Sequence, residues 1–200
     1  MVTTAGERTL RADAQRNQDR IVAAAQAAFA ELGYEVPIEE IARRAGVGAA
    51  TIYRRFPTKE RLLRAIFDVR IAELEAAIAA SAAIGDPLDG LLAGMRALIE
   101  IQTANMVFLQ VLDRAGVMPE LRGEIRERVF VPLAALFARA QASGQIRADL
   151  DPSELPLLIQ MITATAKHSS ECPMQHASER YLALLTDALR TPAPSELPKL

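Results

Sequence analysis

Apolar side chains recur at three- and four-residue spacing along most of the chain, and the interruptions of that rhythm mark out its elements. From about Asn17 to Leu32, the residues Ile21, Ala25, Ala28, Phe29 and Leu32 fall on one face of a first helix. It stops at Gly33, which is free to take the positive φ that closes a helix. A second helix starts near Pro37, whose fixed φ suits a first helical position, and carries Ile38, Ile41, Ala42 and Ala45 before Gly46 and Val47 end it. A third, short helix restarts almost at once, with Ile52 and Phe56 four apart, so that one side is buried and the other stays available. Thr58, following Pro57, is placed to cap a fourth helix from Lys59 to about Ala80 that buries Leu62, Leu63, Ile66, Phe67, Leu74 and Ile78.

Beyond a break at Gly85-Asp86-Pro87 the pattern predicts helices at about 87–104, 105–114, 119–143, 153–170 and 177–190, punctuated by Ser143-Gly144 and Asp151-Pro152. Pro132 falls inside the third of these, where it removes a backbone hydrogen bond and forces a kink. Either a cavity opens beneath Val129, Phe130, Leu133, Leu136 and Phe137, or neighbouring helices fill the gap. The expected fold is therefore all-α. A three-helix unit at 15–67, containing a helix-turn-helix, follows a polar arm at 1–14; a larger helical domain spans 68–190 and a proline-rich tail 191–200.

Composition agrees without adding detail: half of the 200 residues are apolar, and alanine and leucine outnumber β-branched runs. The single cysteine, Cys172, has no partner for an intrachain disulfide. No signal peptide and no apolar span of membrane length is evident, so a cytoplasmic protein with no membrane association is expected. Net charge is −2, but residues 1 to 70 hold twelve Arg and Lys against nine Asp and Glu, and residues 71 to 200 hold eleven against sixteen. A polyanion would attract the basic end and repel the acidic one.

Residues 33–63 carry the most specific chemistry. Two short helices joined by a tight turn, with aromatic and basic groups on the second, are a way to lay a helix in the major groove of double-stranded DNA. Tyr53 offers a hydroxyl on a rigid ring, and Thr51 a short hydroxyl plus a methyl that can touch thymine. Arg54 and Arg55 project about 100° apart and so are expected to do different things. Phe56 reads as core. Glu39 and Glu40 precede Arg43 and Arg44 by four, which pairs those arginines on a solvated helix face. The unpaired amides at the start of the fourth helix are an anion site in their own right.

At these residues the chain resembles the DNA-binding domain of the tetracycline-repressor (TetR) family of bacterial transcription regulators. The resemblance rests on Gly33-Tyr34, Ile41-Ala42, Ala45-Gly46-Val47, Thr51-Ile52-Tyr53, Phe56, Lys59-Glu60 and Leu62-Leu63, over roughly residues 15 to 67. It implies a homodimeric repressor that binds an operator and is released from it by an unknown small-molecule effector. It also implies that Lys59 is a phosphate contact. The sequence departs from the family pattern at Gly48 and Ala49, where a hydroxyl and a basic residue are usual, and in lacking the Thr that often opens the second helix. Gly48 and Ala49 permit close backbone approach to DNA, and base reading shifts to Thr51, Arg54 and the arginines near the first helix, of which Arg16 is best placed.

For the larger domain the resemblance implies subunit pairing and ligand sensing. Stripes at Leu155, Leu158, Ile159 and Ile162 (with Ala166), and at Leu184, Leu185 and Leu189, suit either a four-helix dimer interface or closure of the chain's own core. Met95, Gln102, Asn105, Met106, Leu109, Phe130, Met161 and Thr165 are candidate ligand contacts, since polar or flexible side chains on apolar helices suit an adaptable pocket. His168, Cys172 and His176 are spaced by four, the spacing that places three metal ligands on one helix face, but Pro173 disrupts that geometry. No catalytic residue, metal or cofactor is assigned. The rival functions are a metal-binding or enzymatic helical protein built on that trio, and a helical interaction module without DNA binding.

Overall fold

The structure, a computed structural model, describes residues 4–166, 174–191, 195 and 197, without the side chains of 4–12, 165, 166 and 174–176. Among the described residues it is all helical apart from an isolated bridge between Ile146 and Arg190. The chain divides into two units, residues 1–69 with 105–120, and residues 70–104 with 121–200.

In the first unit α1 (Thr4–Leu32), α2 (Ile38–Ala45), α3 (Ala49–Arg55) and the start of α4 (Lys59–Ala82) surround a core of Ile21, Ala25, Phe29, Ile41, Ile52, Leu62, Leu63 and Ile66, with α6 (Met106–Arg114) packed against α1. The α1 helix begins at Thr4 rather than near Asn17, so residues 4–14, expected as an arm, are helical. Leu32 is 52% exposed and lies off the buried face assigned to it. The two stop signals behave as their chemistry requires: Gly33 and Gly46 have φ of 72° and 66°, and the Gly46 and Val47 amides close the end of α2 onto Arg43 and Ala42 carbonyls. Pro37 is the N-cap of α2, one position before the first helical residue.

Of the two i,i+4 pairs expected on the charged face of α2, Glu40–Arg44 forms and Glu39–Arg43 does not. Glu40 alone receives both arginines, Arg43 at 2.7 Å and Arg44 at 2.7 Å, and Arg44 also reaches Glu31 on α1 at 2.8 Å. Hydrogen bonds from Arg43 and then Arg44 hold the Glu40 carboxyl down at about 2. Glu39 takes no part in these pairs.

In the second unit α5 (Pro87–Ala104) packs against α8 (Val131–Ala142), α9 (Leu155–Ala166) and α10 (Met174–Leu189), and the last turns of α4 meet α5 at Ser81 and α8 at Ala82. The predicted single helix over 119–143 is α7 (Met118–Ile125), a π-helical segment (Arg126–Phe130) and α8. Pro132 is the cause: it has no N–H to give, and the wide π turn absorbs its ring, the Val131 amide donating five residues back to the Arg126 carbonyl. The π turn is tied to α4 by Arg128, which makes two 2.7 Å bonds to the Glu75 carboxylate and holds its pKa below the usual range. No gap is left by Leu133 and Leu136: they lie so close to Gly94 of α5 that a Cβ there would come within 3.0 and 3.2 Å of them. Val129 and Phe137 are fully buried as well.

Two polar clasps finish this unit. Asp86 caps α5 through the Asp89 amide and accepts from Gln145 at 2.9 Å, while Gln145 itself accepts from the Leu88 amide. Arg147, only 6% exposed, pairs with Asp149 at 2.6 Å and donates to the Ser195 carbonyl at 2.6 Å; Asp149 accepts from the Leu197 amide at 3.0 Å. The tail is therefore held at Ser195 and Leu197. Arg147 keeps the Asp149 carboxyl far below the ordinary carboxylate range.

Candidate nucleic-acid interface

The free side of α3 is presented because Ile52 fixes its other side at 0% exposure and Phe56, 7% exposed, closes its end. Tyr53 stands 48% exposed on that side, with Arg54 and Arg55 exposed beside it and Thr51 half-buried. The two arginines part company as their 100° offset requires. Arg54 leans on the Thr51 hydroxyl at 3.4 Å, whereas Arg55 turns to α1 and donates to the Gln18 side-chain carbonyl from Nε at 3.0 Å and from one Nη. Gly48, N-cap of α3, has φ −76° and open space around it, so its backbone would accept a side chain; its lack of one leaves α3 without a side-chain cap. Ala49 follows, partly exposed.

Lys59, expected to meet a phosphate, lies folded back. Its Nζ donates to the Tyr34 carbonyl and sits over the Tyr34 ring at 4.6 Å. At the same helix end the Thr58 hydroxyl accepts from the Arg61 amide at 3.3 Å, and Glu60 accepts its own amide and lies against Tyr34. The chain's own groups thus meet part of the amide charge that was expected to draw an anion. Arg16 is exposed and paired with Asp13 one turn earlier on α1. A groove of about 210 Å³ runs between α1 and α3, lined by Ala14, Asn17, Gln18, Ile21, Thr51, Arg54 and Arg55. Gln18 and Asn17 were not singled out from sequence. Their signal, a position four turns before the end of α1, has meaning only once α3 lies across it.

Within the second unit the structure does not gather the sequence-picked ligand contacts. Met95 is fully buried in the α5 core, Gln102 and Phe130 are partly exposed and Met161 is 64% exposed. Asn105, Met106 and Leu109 belong to the first unit, and the side chain of Thr165 lies outside the described residues. One opening in this unit is a cleft of about 410 Å³ between α5 and α10, with Ile99 and Leu182 as floor and the 2.8 Å Arg96–Glu179 pair on its rim. Of the interface stripe, Leu155, Ile159, Ile162 and Leu189 are at most 4% exposed and close the chain's own core; Leu158 and Leu185 are intermediate and Leu184 is 57% exposed. His168 and Cys172, and the side chain of His176, lie outside the described residues. Among those described, no three His, Cys, Asp or Glu side chains come together as a metal site, and no helix is long and apolar enough to cross a membrane.

A buried three-helix core that offers Tyr53, Arg54 and Thr51 on one short exposed helix is a helix-turn-helix DNA-binding unit, and the larger helical unit after it is the pattern of a transcription regulator. Comparison with known proteins makes this specific. Residues 21–66 match the family model for bacterial regulatory proteins of the tetR family, and residues 86–191 that for the C-terminal domain of SbtR-like transcriptional regulators. The chain is 30% identical to the transcriptional repressor KstR of Mycobacterium tuberculosis, over 74% of this chain and 69% of that protein. It is 30% identical to the regulator RutR of Escherichia coli K12, over 85% and 80%. Among solved structures, a TetR regulator from Streptomyces coelicolor shares 34% identity over 88% of this chain and 99% of that one, with a TM-score of 0.67. One from Mycobacterium vanbaalenii shares 33%, over 91% and 99%, with a TM-score of 0.69. The chain belongs to the TetR family and is a sequence-specific DNA-binding transcriptional regulator.

Proposed function

We propose that this regulator is a cytoplasmic homodimeric repressor that leaves its operator when a small molecule binds its second unit. The observation that carries the dimer is an apolar face on α9 and α10 that stays exposed among the described residues: Leu157 is 60% exposed, Met161 64%, Tyr181 40% and Leu184 57%. Two helices from each of two copies, related by a twofold axis, bury such a face against itself. Pairing also supplies two recognition helices, about 34–36 Å apart or a multiple of it, as a near-palindromic site requires. Repression is favoured by the 30% identity to KstR, a named repressor.

For the effector we favour the α5–α10 cleft over the eight positions suggested by sequence, because its volume falls within the range of small-molecule sites. An apolar floor beneath a charged rim suits an amphipathic molecule. Helix α4 passes without a break from residue 59 to residue 82 across one of the chain's crossings between the units, and so offers one covalent route from the second unit to the first. Release by a hundredfold requires about 2.7 kcal/mol of coupling, which the ligand must supply as a difference in affinity between two states. The experiment is gel retardation with the intergenic DNA beside the gene, with and without ligands selected by thermal shift. Salt-sensitive nanomolar binding to one fragment, lost on adding such a ligand, is expected. If the purified protein binds that DNA no more tightly than random duplex, or if no binding ligand alters retention, the repressor reading fails.

A further inference from the structure

The groove between α1 and α3 contains a side chain that does nothing for the core and a good deal for an arginine. Gln18 is half-buried on α1, and its carbonyl oxygen takes two of the five N–H donors of Arg55, from Nε at 3.0 Å and from one Nη. Three donors of that guanidinium remain. Arg54 lies across the same groove with its Nη2 on the Thr51 hydroxyl, whose own proton is free to point elsewhere. The lining includes two guanidinium groups and no carboxylate. The nearest acids on α1 are engaged already, Asp13 by Arg16 and Asp19 by Gln15 at 2.8 Å. The groove is thus a concave, positively charged seat with oriented donors, the chemistry that meets a phosphodiester.

We propose that the α1–α3 groove seats one backbone phosphate of the bound duplex, and that Gln18 is a positioning residue that aims Arg55 at it. A free arginine samples many rotamers and loses that freedom on binding; one fixed beforehand by Gln18 loses less. The division of labour on α3 follows. Arg55 is tied towards α1 and the backbone, leaving Arg54 and Tyr53 for the groove floor and the opposite strand. Because a phosphate contact carries no sequence information, the site acts on all DNA alike.

The test uses the whole protein and a random-sequence 30-base-pair duplex, so it depends on neither operator nor effector and stands or falls apart from the repressor reading. Binding is followed by fluorescence anisotropy across a salt series. Arg55→Ala should lower the slope of log K against log salt by about 0.9, one phosphate contact. Gln18→Ala should weaken binding about three- to tenfold, the worth of one oriented hydrogen-bonding group, and should cause no further loss in the Arg55→Ala background. Gln18→Glu separates positioning from folding: a carboxylate keeps the tie between the two helices, so thermal stability holds, yet it cancels the guanidinium charge. Its salt slope should therefore fall as that of Arg55→Ala does. Losses that add fully in the Gln18→Ala/Arg55→Ala double variant, or a Gln18→Glu protein that binds with the parent's affinity and slope, would overturn the assignment.

Discussion

Replacing Leu184 and Met161 by glutamate addresses the proposed twofold interface directly, because both side chains are well exposed in the single chain. Complete burial of a leucine or methionine is worth about 1.5–3 kcal/mol, and some six-tenths of each side chain is still available to a partner, or about 1–2 kcal/mol per site. A twofold axis counts each position twice, so the pair of substitutions removes roughly 4–8 kcal/mol of burial even before the repulsion of four introduced carboxylates. At about 1.4 kcal/mol per decade the dissociation constant should rise by at least a thousandfold. Light scattering at micromolar concentration should show a dimer for the parent and a monomer for the double variant, both with the same helical circular dichroism and the same melting cooperativity. The control is Ile159→Glu. At 1% exposure it has no surface to offer a partner, and the expected result is unfolding rather than dissociation. A monomeric parent, or a Leu184→Glu/Met161→Glu protein that stays dimeric, refutes the reasoning.

Three further outcomes are expected. Gly90→Ala puts a methyl 2.9 Å from the Ser81 carbonyl and 2.6 Å from Arg139 Nη2, so overpacking of about 1–3 kcal/mol outweighs the gain of about 1 kcal/mol in helix propensity and the melting temperature falls by a few degrees. Gly123→Ala, with open space around it, should raise it, and equal shifts in both would contradict the packing argument. Asp149→Asn should lower the melting temperature at pH 7. The folded carboxyl is depressed by Arg147, so the parent's advantage is complete above the unfolded value of about 4 and shrinks as acid protonates it; a difference that widens below pH 4 would reverse the sign. Arg54→Ala should relax preference at one operator position, by about 1–3 kcal/mol, while Tyr53→Phe weakens all DNA alike, as competition binding against single-base operator variants would report.

Much of this protein is legible in its sequence. Glycine at 33 and 46, proline at 37 and threonine at 58 act through their own backbone or hydroxyl chemistry, which is local, and the helix boundaries they imply recur in the structure within a residue or so. The buried positions Ile21, Phe29, Ile41, Ile52 and Leu62 follow from period alone, since a helix face needs only one neighbour to be buried against. The same locality explains Tyr53 outside and Phe56 inside.

Where two distant elements compete for one side chain, period is silent, and only tertiary structure decided. The late leucine stripes are one case: four of the seven proposed interface positions are spent on the chain's own core, and the exposed face is made by Leu157, Met161, Tyr181 and Leu184, three of which no interface argument from sequence had named. Arg55 is another, because its partner Gln18 is thirty-seven residues away. That Pro132 disturbs the helix is readable from its missing N–H, but the form of the disturbance is not, since a π turn held by Glu75 of α4 depends on what packs beside it. The sequence by itself determined helix, cap and family, each written in neighbours a turn apart; the third dimension decided which polar groups pair and which apolar faces remain for a second molecule, because burial and charge pairing are properties of the space between segments.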